Sequence, residues 1–191
     1  QDYQRAARYF TADESFSPII NEEVKVFEAT YREAILHPIY TDEYAAMEML
    51  LNDSVCLIFA SRNYTEKEEK ALKAIGGSPV SMPIGYDGLS LIVNKANPDT
   101  CITVKDIRRI LSGEVSKWKE VYPNSKQGDI EVVFDNKNSS TVRWCVDSIL
   151  NGKPINSPNI YAVKTSAEVI NYVEQHANSI GIIGSNWLND K

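Results

Sequence analysis

Residues Ile130 to Trp144 read IEVVFDNKNSSTVRW. The first five, dominated by Ile, Val and Phe, have the composition of a buried strand, and a helical pattern begins near Val142. Between the two stand Asp135, two asparagines, a lysine and three consecutive hydroxyl residues, Ser139, Ser140 and Thr141. A strand that passes into a helix through a polar turn is the repeating step of an α/β fold. The turn falls at the carboxyl end of the strand, where open parallel sheets hold their ligands. Whether the rest of the chain repeats that step decides the architecture.

Upstream it recurs three times. RYFTA (8–12) reads as a strand, followed by the polar turn ADESFSP and a helix to about Arg32, with Ser17-Pro18 suited to its start. Ile20, Val24, Phe27 and Tyr31 fall at spacings of four, three and four, which predicts one buried stripe on that helix. AILHPIY (34–40) predicts a second strand, and TDEYAAMEMLLND a helix with Thr41 as its N-cap. VCLIFA (55–60) predicts a third strand, buried on both faces. After it come a loop with Ser61 and Arg62, a capping box formed by Thr65 and Glu68, and a helix closed by Gly76-Gly77.

From Pro79 to Lys95 the chain reads as a long β-like stretch broken by proline and glycine, and passage into a second lobe is expected there, giving lobes of 1–82 and 83–191. Beyond it, TVKDIRRILSGEVSKWKEV predicts a helix capped at Thr103 and stopped by Gly113. IEVVF and STVRWCVDSIL follow, then the strand IYAVK, the helix SAEVINYVEQHA and the strand SIGIIG. The alternation favours an α/β fold with mainly parallel sheets.

Composition sets outer limits. The chain has 191 residues, 43% hydrophobic, and no low-complexity tract, enough for one substantial core or two modest ones. Its net charge of -6 comes without a basic stripe, which argues against a nucleic-acid partner. No apolar run approaches the roughly 20 residues that cross a bilayer. QDYQRAARYF lacks the apolar core of a signal peptide, so the chain reads as cytosolic or already processed. Cys56, Cys101 and Cys145 show no metal-ligand spacing; Cys56 and Cys145 lie in apolar patterns and read as buried hydrophobes. His37 and His176 have no cysteine or paired acid at ligand spacing, so neither metal nor cofactor is expected, and no nucleophile motif points to catalysis.

The polar residues therefore converge on binding. After the four strands come Asp13, Glu14, Ser15 and Phe16; Thr41; Ser61 and Arg62; and Asp135 through Thr141. Free N–H groups at a helix start favour anions, and a hydroxyl on the cap adds a donor, although Ser and Thr are equally common as plain caps. Arg62 is either a bidentate oxyanion donor or a surface arginine paired with a helix acid. Asp135 repels a fully ionised anion, yet it can accept a hydrogen bond from a protonated one or orient an arginine. Arg143 either neutralises Asp135 or lies on the helix surface. The acids of EKEEK (66–70) read as a solvated helix face.

In order along the chain, DESFSPII, FEATY, PIYT, LIFASRNYTEKE, DGLSLIVNKANPDTCITVKDIRRILSGEVSKW, IEVVFDNKNSSTVRW and SIGIIGSNWL resemble the phosphate-binding periplasmic proteins of ABC phosphate importers. The most specific pieces are the N-x-x-N-P of LIVNKANP, the helix from Thr103 to Trp118, and the S-S-T turn; the style resembles shorter relatives from Bacteroidetes. The resemblance implies a type II periplasmic-binding-protein clamshell of two α/β lobes that close on phosphate or a similar oxyanion. It also implies a monomer handing its ligand to a membrane ABC permease, located in the periplasm or on the outer surface and lipid-anchored through an upstream cysteine. Carried over by position, the ligand-binding residues are Ser15, Phe16, Thr41, Ser139, Ser140 and Thr141. Ser61, after the third strand, joins them from its position; Arg62 stands where the family usually places its aspartate, and Asp135 stands where it places its arginine, an exchange of the two charges. Ser140 replaces a usual glycine. The sequence stops before the segment by which the family's chain returns to complete the first lobe, so that lobe is expected to be incomplete. A sensor or adhesion module that has lost phosphate affinity is the alternative.

Overall fold

The computed structural model describes residues 7–188, and these divide into two compact units that part between Asp87 and Gly88. The compact units part after Asp87, not at the 82/83 position suggested by composition.

In the first unit β1 (Ala7–Asp13), β2 (Ile35–Thr41) and β3 (Ile58–Phe59) form a parallel sheet in the order β2-β1-β3. A short 3-10 turn, Glu14–Phe16, leads from β1 into α1 (Ser17–Thr30), whose first turn carries the expected proline. α2 (Glu43–Leu51) and α3 (Glu66–Ala74) follow β2 and β3. Phe10, Ala12 and Ile20 form the buried cluster, with Phe16, Val24, Leu36, Tyr40 and Phe59 packed around it.

Three expectations need correction. The stripe on α1 is buried only at its front: Phe27 and Tyr31 are exposed and lie against each other, ring centroids 4.7 Å apart. VCLIFA is not a six-residue buried strand, since only Ile58 and Phe59 join the ladder while Cys56 and Leu57 are exposed. The cause is position: among the described residues β3 ends the sheet and has a strand on one side only, so its apolar run lacks the double cover of a central strand. Thr41 does not cap α2. It is the last residue of β2, and the next residue, Asp42, takes the cap, its Oδ1 accepting from the N–H groups of Tyr44 and Ala45 at 3.0 Å each. An aspartate offers the stronger acceptor for the two orphan donors.

The second unit holds β4 (Leu89–Val93), β5 (Glu131–Phe134), β6 (Ile160–Ala162) and β7 (Ser179–Gly184) in the order β4-β7-β5-β6. β5 runs parallel to both neighbours, and β4 is antiparallel to β7. Of the long β-like stretch, Leu89–Val93 alone is strand, and residues 77–88 have no regular structure. α4 (Val104–Leu111) is capped by Thr103 as expected, and its chain reverses at Gly113 with φ +78. α5 (Trp118–Val121), α6 (Ser140–Trp144), which runs on into a π-helical turn Cys145–Ile149, and α7 (Ser166–Gln175) complete the unit. Successive residues of β5 point to opposite faces. Val132 and Phe134 join Ile107, Ile110, Trp118 and Cys145 on one face, and Val133 joins Val169, Val173 and Ile183 on the other. The sheet is thus covered on both sides, and the turn after β5 is set against a fully packed strand.

Candidate functional site: two polar edges

In the first unit the register aligns Asp13 with Thr41 and Ala12 with Phe59, so the turns after all three strands leave one edge of the sheet. Ser15 is buried, and both its N–H and its Oγ donate to Asp13 Oδ1, at 3.0 and 2.6 Å. Phe16 packs its ring on the core cluster, and Thr41 is half-buried at the end of β2. Ser61 donates from its N–H (3.2 Å) and its Oγ (2.5 Å) to Oε1 of Glu43, itself a buried carboxylate in the first turn of α2.

Arg62 follows the helix-acid alternative. Its Nη1 and Nη2 donate to the two oxygens of Glu68 at 2.8 Å each, Nη1 also donates to Asn63 O, and Nε lies 3.6 Å from Glu43 Oε2. The guanidinium's hydrogen bonds hold the Glu68 carboxyl down at about 2, and the same pairing raises the Arg62 pKa. Glu68 is therefore not part of a solvated face as EKEEK suggested, although its neighbours Glu66, Lys67, Glu69 and Lys70 are exposed.

Asp13, Glu43 and Glu68 were missed as partners for these donors. The signal was present for the first two, an acid at a strand's carboxyl end and an acid in a first helical turn, but both patterns normally mean a solvated cap. The chemical result is specific: Ser15, Ser61 and Arg62 each hold a carboxylate from within their own unit. A carboxylate is itself an oxyanion, so each of these donors is already engaged by one.

In the second unit the two ends of the turn after β5 are buried, while Lys137 and Asn138 at its tip are exposed. Asp135, Ser139, Ser140 and Thr141 are 2%, 4%, 6% and 1% exposed, which is unusual for a polar connection. Asn136 shapes it, its carbonyl accepting from Ser139 N–H at 3.1 Å and its Oδ1 from Asn138 N–H at 2.9 Å. Ser139 caps α6, its Oγ accepting from Val142 N–H at 3.2 Å, which leaves its hydroxyl proton for another acceptor. Burial, together with the charge of Asp135, pushes the Cys145 thiol up to about 12. Arg143 contacts Asp147 at 3.4 Å, one turn along the helix.

Among the described residues no group of three or more His, Cys, Asp and Glu side chains could hold a metal, and no helix is long and apolar enough to cross a membrane. His37 stacks on Tyr9 and His176 on Tyr172, both ring against ring.

Protein SphX of Synechococcus elongatus is 23% identical over 143 residues, covering 73% of this chain and 42% of that protein. The phosphate-binding protein PstS of Staphylococcus saprophyticus is 23% identical over 141 residues, 73% of this chain and 43% of that one. The chain therefore spans less than half the length of these curated relatives. A phosphate ABC transporter substrate-binding protein from Clostridium perfringens, described as putative and solved with bound phosphate, superposes with a TM-score of 0.77 at 23% identity, over 94% of this chain and 71% of that chain. The family profile described as a PBP superfamily domain matches residues 5–191. With two helix-flanked α/β sheets and a family match over nearly its whole length, the chain belongs to the PBP superfamily.

Proposed function

We propose that the chain is part of an extracytoplasmic solute-binding protein that recognises phosphate or a similar oxyanion and delivers it to a membrane ABC permease. It would act in the periplasm or on the outer surface, lipid-anchored through a cysteine upstream of this chain. The observation that carries this reading is the set of buried polar residues Asp135, Ser139, Ser140 and Thr141, with Ser139 capping α6 and Ser140 and Thr141 in its first turn. A desolvated anion needs a donor for each lone pair, and hydroxyls and backbone N–H groups supply donors without adding positive charge. Asp135 would supply the complementary acceptor: a protonated phosphate has a hydrogen to give it, whereas sulfate at neutral pH does not. The bound phosphate of the similar Clostridium perfringens structure supports the same class of ligand.

One observation favours a second reading, a sensor or adhesion module without high phosphate affinity. The first-unit donors Ser15, Ser61 and Arg62 already hold carboxylates, so any anion binding there has a competitor built into the chain. Isothermal titration with phosphate, sulfate and molybdate separates the two. Phosphate is expected to bind ahead of sulfate, and Thr141→Ala to weaken it roughly 10- to 100-fold, the loss of one hydrogen bond to a charged group. No heat with any oxyanion would sink the transport reading and leave the second.

A further inference from the structure

Arg62 lies at the carboxyl edge of the first unit's sheet, the edge to which the turns after β1 and β2 also bring Ser15 and Thr41. Two carboxylates share its guanidinium. Glu68 takes both terminal nitrogens, one oxygen for each at 2.8 Å, and Oε2 of Glu43 lies 3.6 Å from Nε. The other oxygen of Glu43 accepts from the N–H and Oγ of Ser61, so Ser61 and Arg62 meet on the two oxygens of one buried acid.

The two acids are not equally fixed. The Glu43 side chain is 3% exposed, and losing its donors would leave a charge buried without partners. The Glu68 side chain is 16% exposed, and its Oε2 has a second donor in the Thr65 N–H at 2.7 Å. If its bonds to Arg62 break, Glu68 keeps its place in the capping box and turns its other oxygen to water. Glu68 is therefore the partner that can give way. A tetrahedral oxyanion offers the terminal nitrogens the same pair of acceptors that a carboxylate does.

On the reading that the chain recognises an oxyanion, on which this step rests, we propose that Glu68 sets the affinity by occupying Arg62. The pair is a latch: phosphate or a similar oxyanion exchanges with the Glu68 carboxylate on the guanidinium, while Glu43 and Ser61 hold the arginine's stem in place. A donor that is open in only a fraction of molecules weakens binding by that fraction, so a latch closed in about nine molecules of ten lowers affinity about tenfold.

Isothermal titration of the 191-residue chain with phosphate tests this in three variants. Glu68→Gln keeps an acceptor for the Thr65 N–H but loses the charge and the second oxygen that hold the guanidinium, and it is expected to bind phosphate about tenfold more tightly than the unaltered chain. Arg62→Ala added to Glu68→Gln should abolish that gain. Thr65→Ala weakens the cap of α3 without touching the ion pair, and should leave affinity within about twofold, which separates a loosened helix from a released arginine. Circular dichroism reports whether each variant is folded. Modification by phenylglyoxal, read at Arg62 by peptide mass, needs no binding heat: it should be slow in the unaltered chain, several-fold faster in Glu68→Gln, and slow again there when phosphate is present. Arg62 reacting at one rate in both chains, or phosphate bound equally by both, overturns the latch and leaves the oxyanion reading standing. An Arg62 freed in Glu68→Gln that phosphate neither protects nor binds with heat overturns the oxyanion reading and the proposal with it.

Discussion

Glu68 binds at both of its oxygens. One arm closes the bidentate pair with Arg62, and Oε2 also accepts the Thr65 N–H at 2.7 Å, completing the capping box of α3. The box was legible in the spacing of Thr65 and Glu68, because both partners lie within one helical turn. The Arg62 pair was not, because the loop 61–65 sets where that guanidinium goes, and spacing alone fits either a ligand or a helix acid. The pairing has a pH signature. Held at about 2 in the folded chain, the Glu68 carboxyl lies below its ordinary value of 4.5, so the stabilisation is fully present above about pH 4.5 and is lost as pH falls toward 2. Glu68→Gln is expected to lower stability near neutral pH by about 1–2 kcal/mol, allowing for solvent screening at a partly exposed pair. Urea denaturation of both proteins near pH 7 and near pH 3 checks this, since the gap between them should narrow in acid. A gap of constant size at both pH values would remove the carboxylate from the explanation.

Gly113 and Gly152 show at the scale of the element what sequence can and cannot specify. Both were readable as helix stops, and both adopt positive φ, +78 and +82. They differ in surroundings. A β-carbon on Gly113 would collide with the backbone oxygen of Asn156, whose own N–H is tied to Leu111 O at 2.8 Å, whereas one on Gly152 would meet nothing within 4 Å. Gly152→Ala is expected to cost about 1 kcal/mol, the conformational penalty alone. Gly113→Ala should cost about 2–4 kcal/mol, because backbone held at both ends has to shift as well. Guanidinium denaturation of the two variants decides it, and equal costs would show that the Asn156 segment yields freely. The same distinction explains which elements were legible: Thr103 and Gly113 bound α4 by local chemistry, whereas the shortness of β3 and the exposure of Cys56 follow from β3's place at the end of a sheet. Likewise the hydroxyls of Ser139, Ser140 and Thr141 were legible as a candidate site, while the carboxylates that Ser15 and Ser61 hold arise only once β1, β2 and β3 are aligned.

For the whole molecule, the two units differ in how much apolar surface they bury. The cluster of the second unit joins thirteen buried residues, including the fully enclosed Trp118, with a further cluster of four on the other face of its sheet. That of the first unit joins three, and α1 with its C-cap Tyr31 leaves Ile19, Val26, Phe27 and Tyr31 exposed. Hydrophobic burial is the main favourable term in folding, and the entropy opposing it grows with the number of residues ordered, so the first unit has the smaller margin. It is expected to melt first. The sequence supplies a probe that tells the units apart: Trp118, Trp144 and Trp187 all lie in the second unit, whereas helices of both contribute to far-ultraviolet circular dichroism. On heating, the dichroism signal should begin to fall at a temperature where tryptophan emission is still native, and emission should change only in a later transition. Calorimetry should show two endotherms, and Ile20→Ala, which cuts into the first unit's cluster, should move the earlier one down while leaving the emission midpoint in place. Coincident midpoints by dichroism and emission, shifting together in Ile20→Ala, would show that the two units unfold as one.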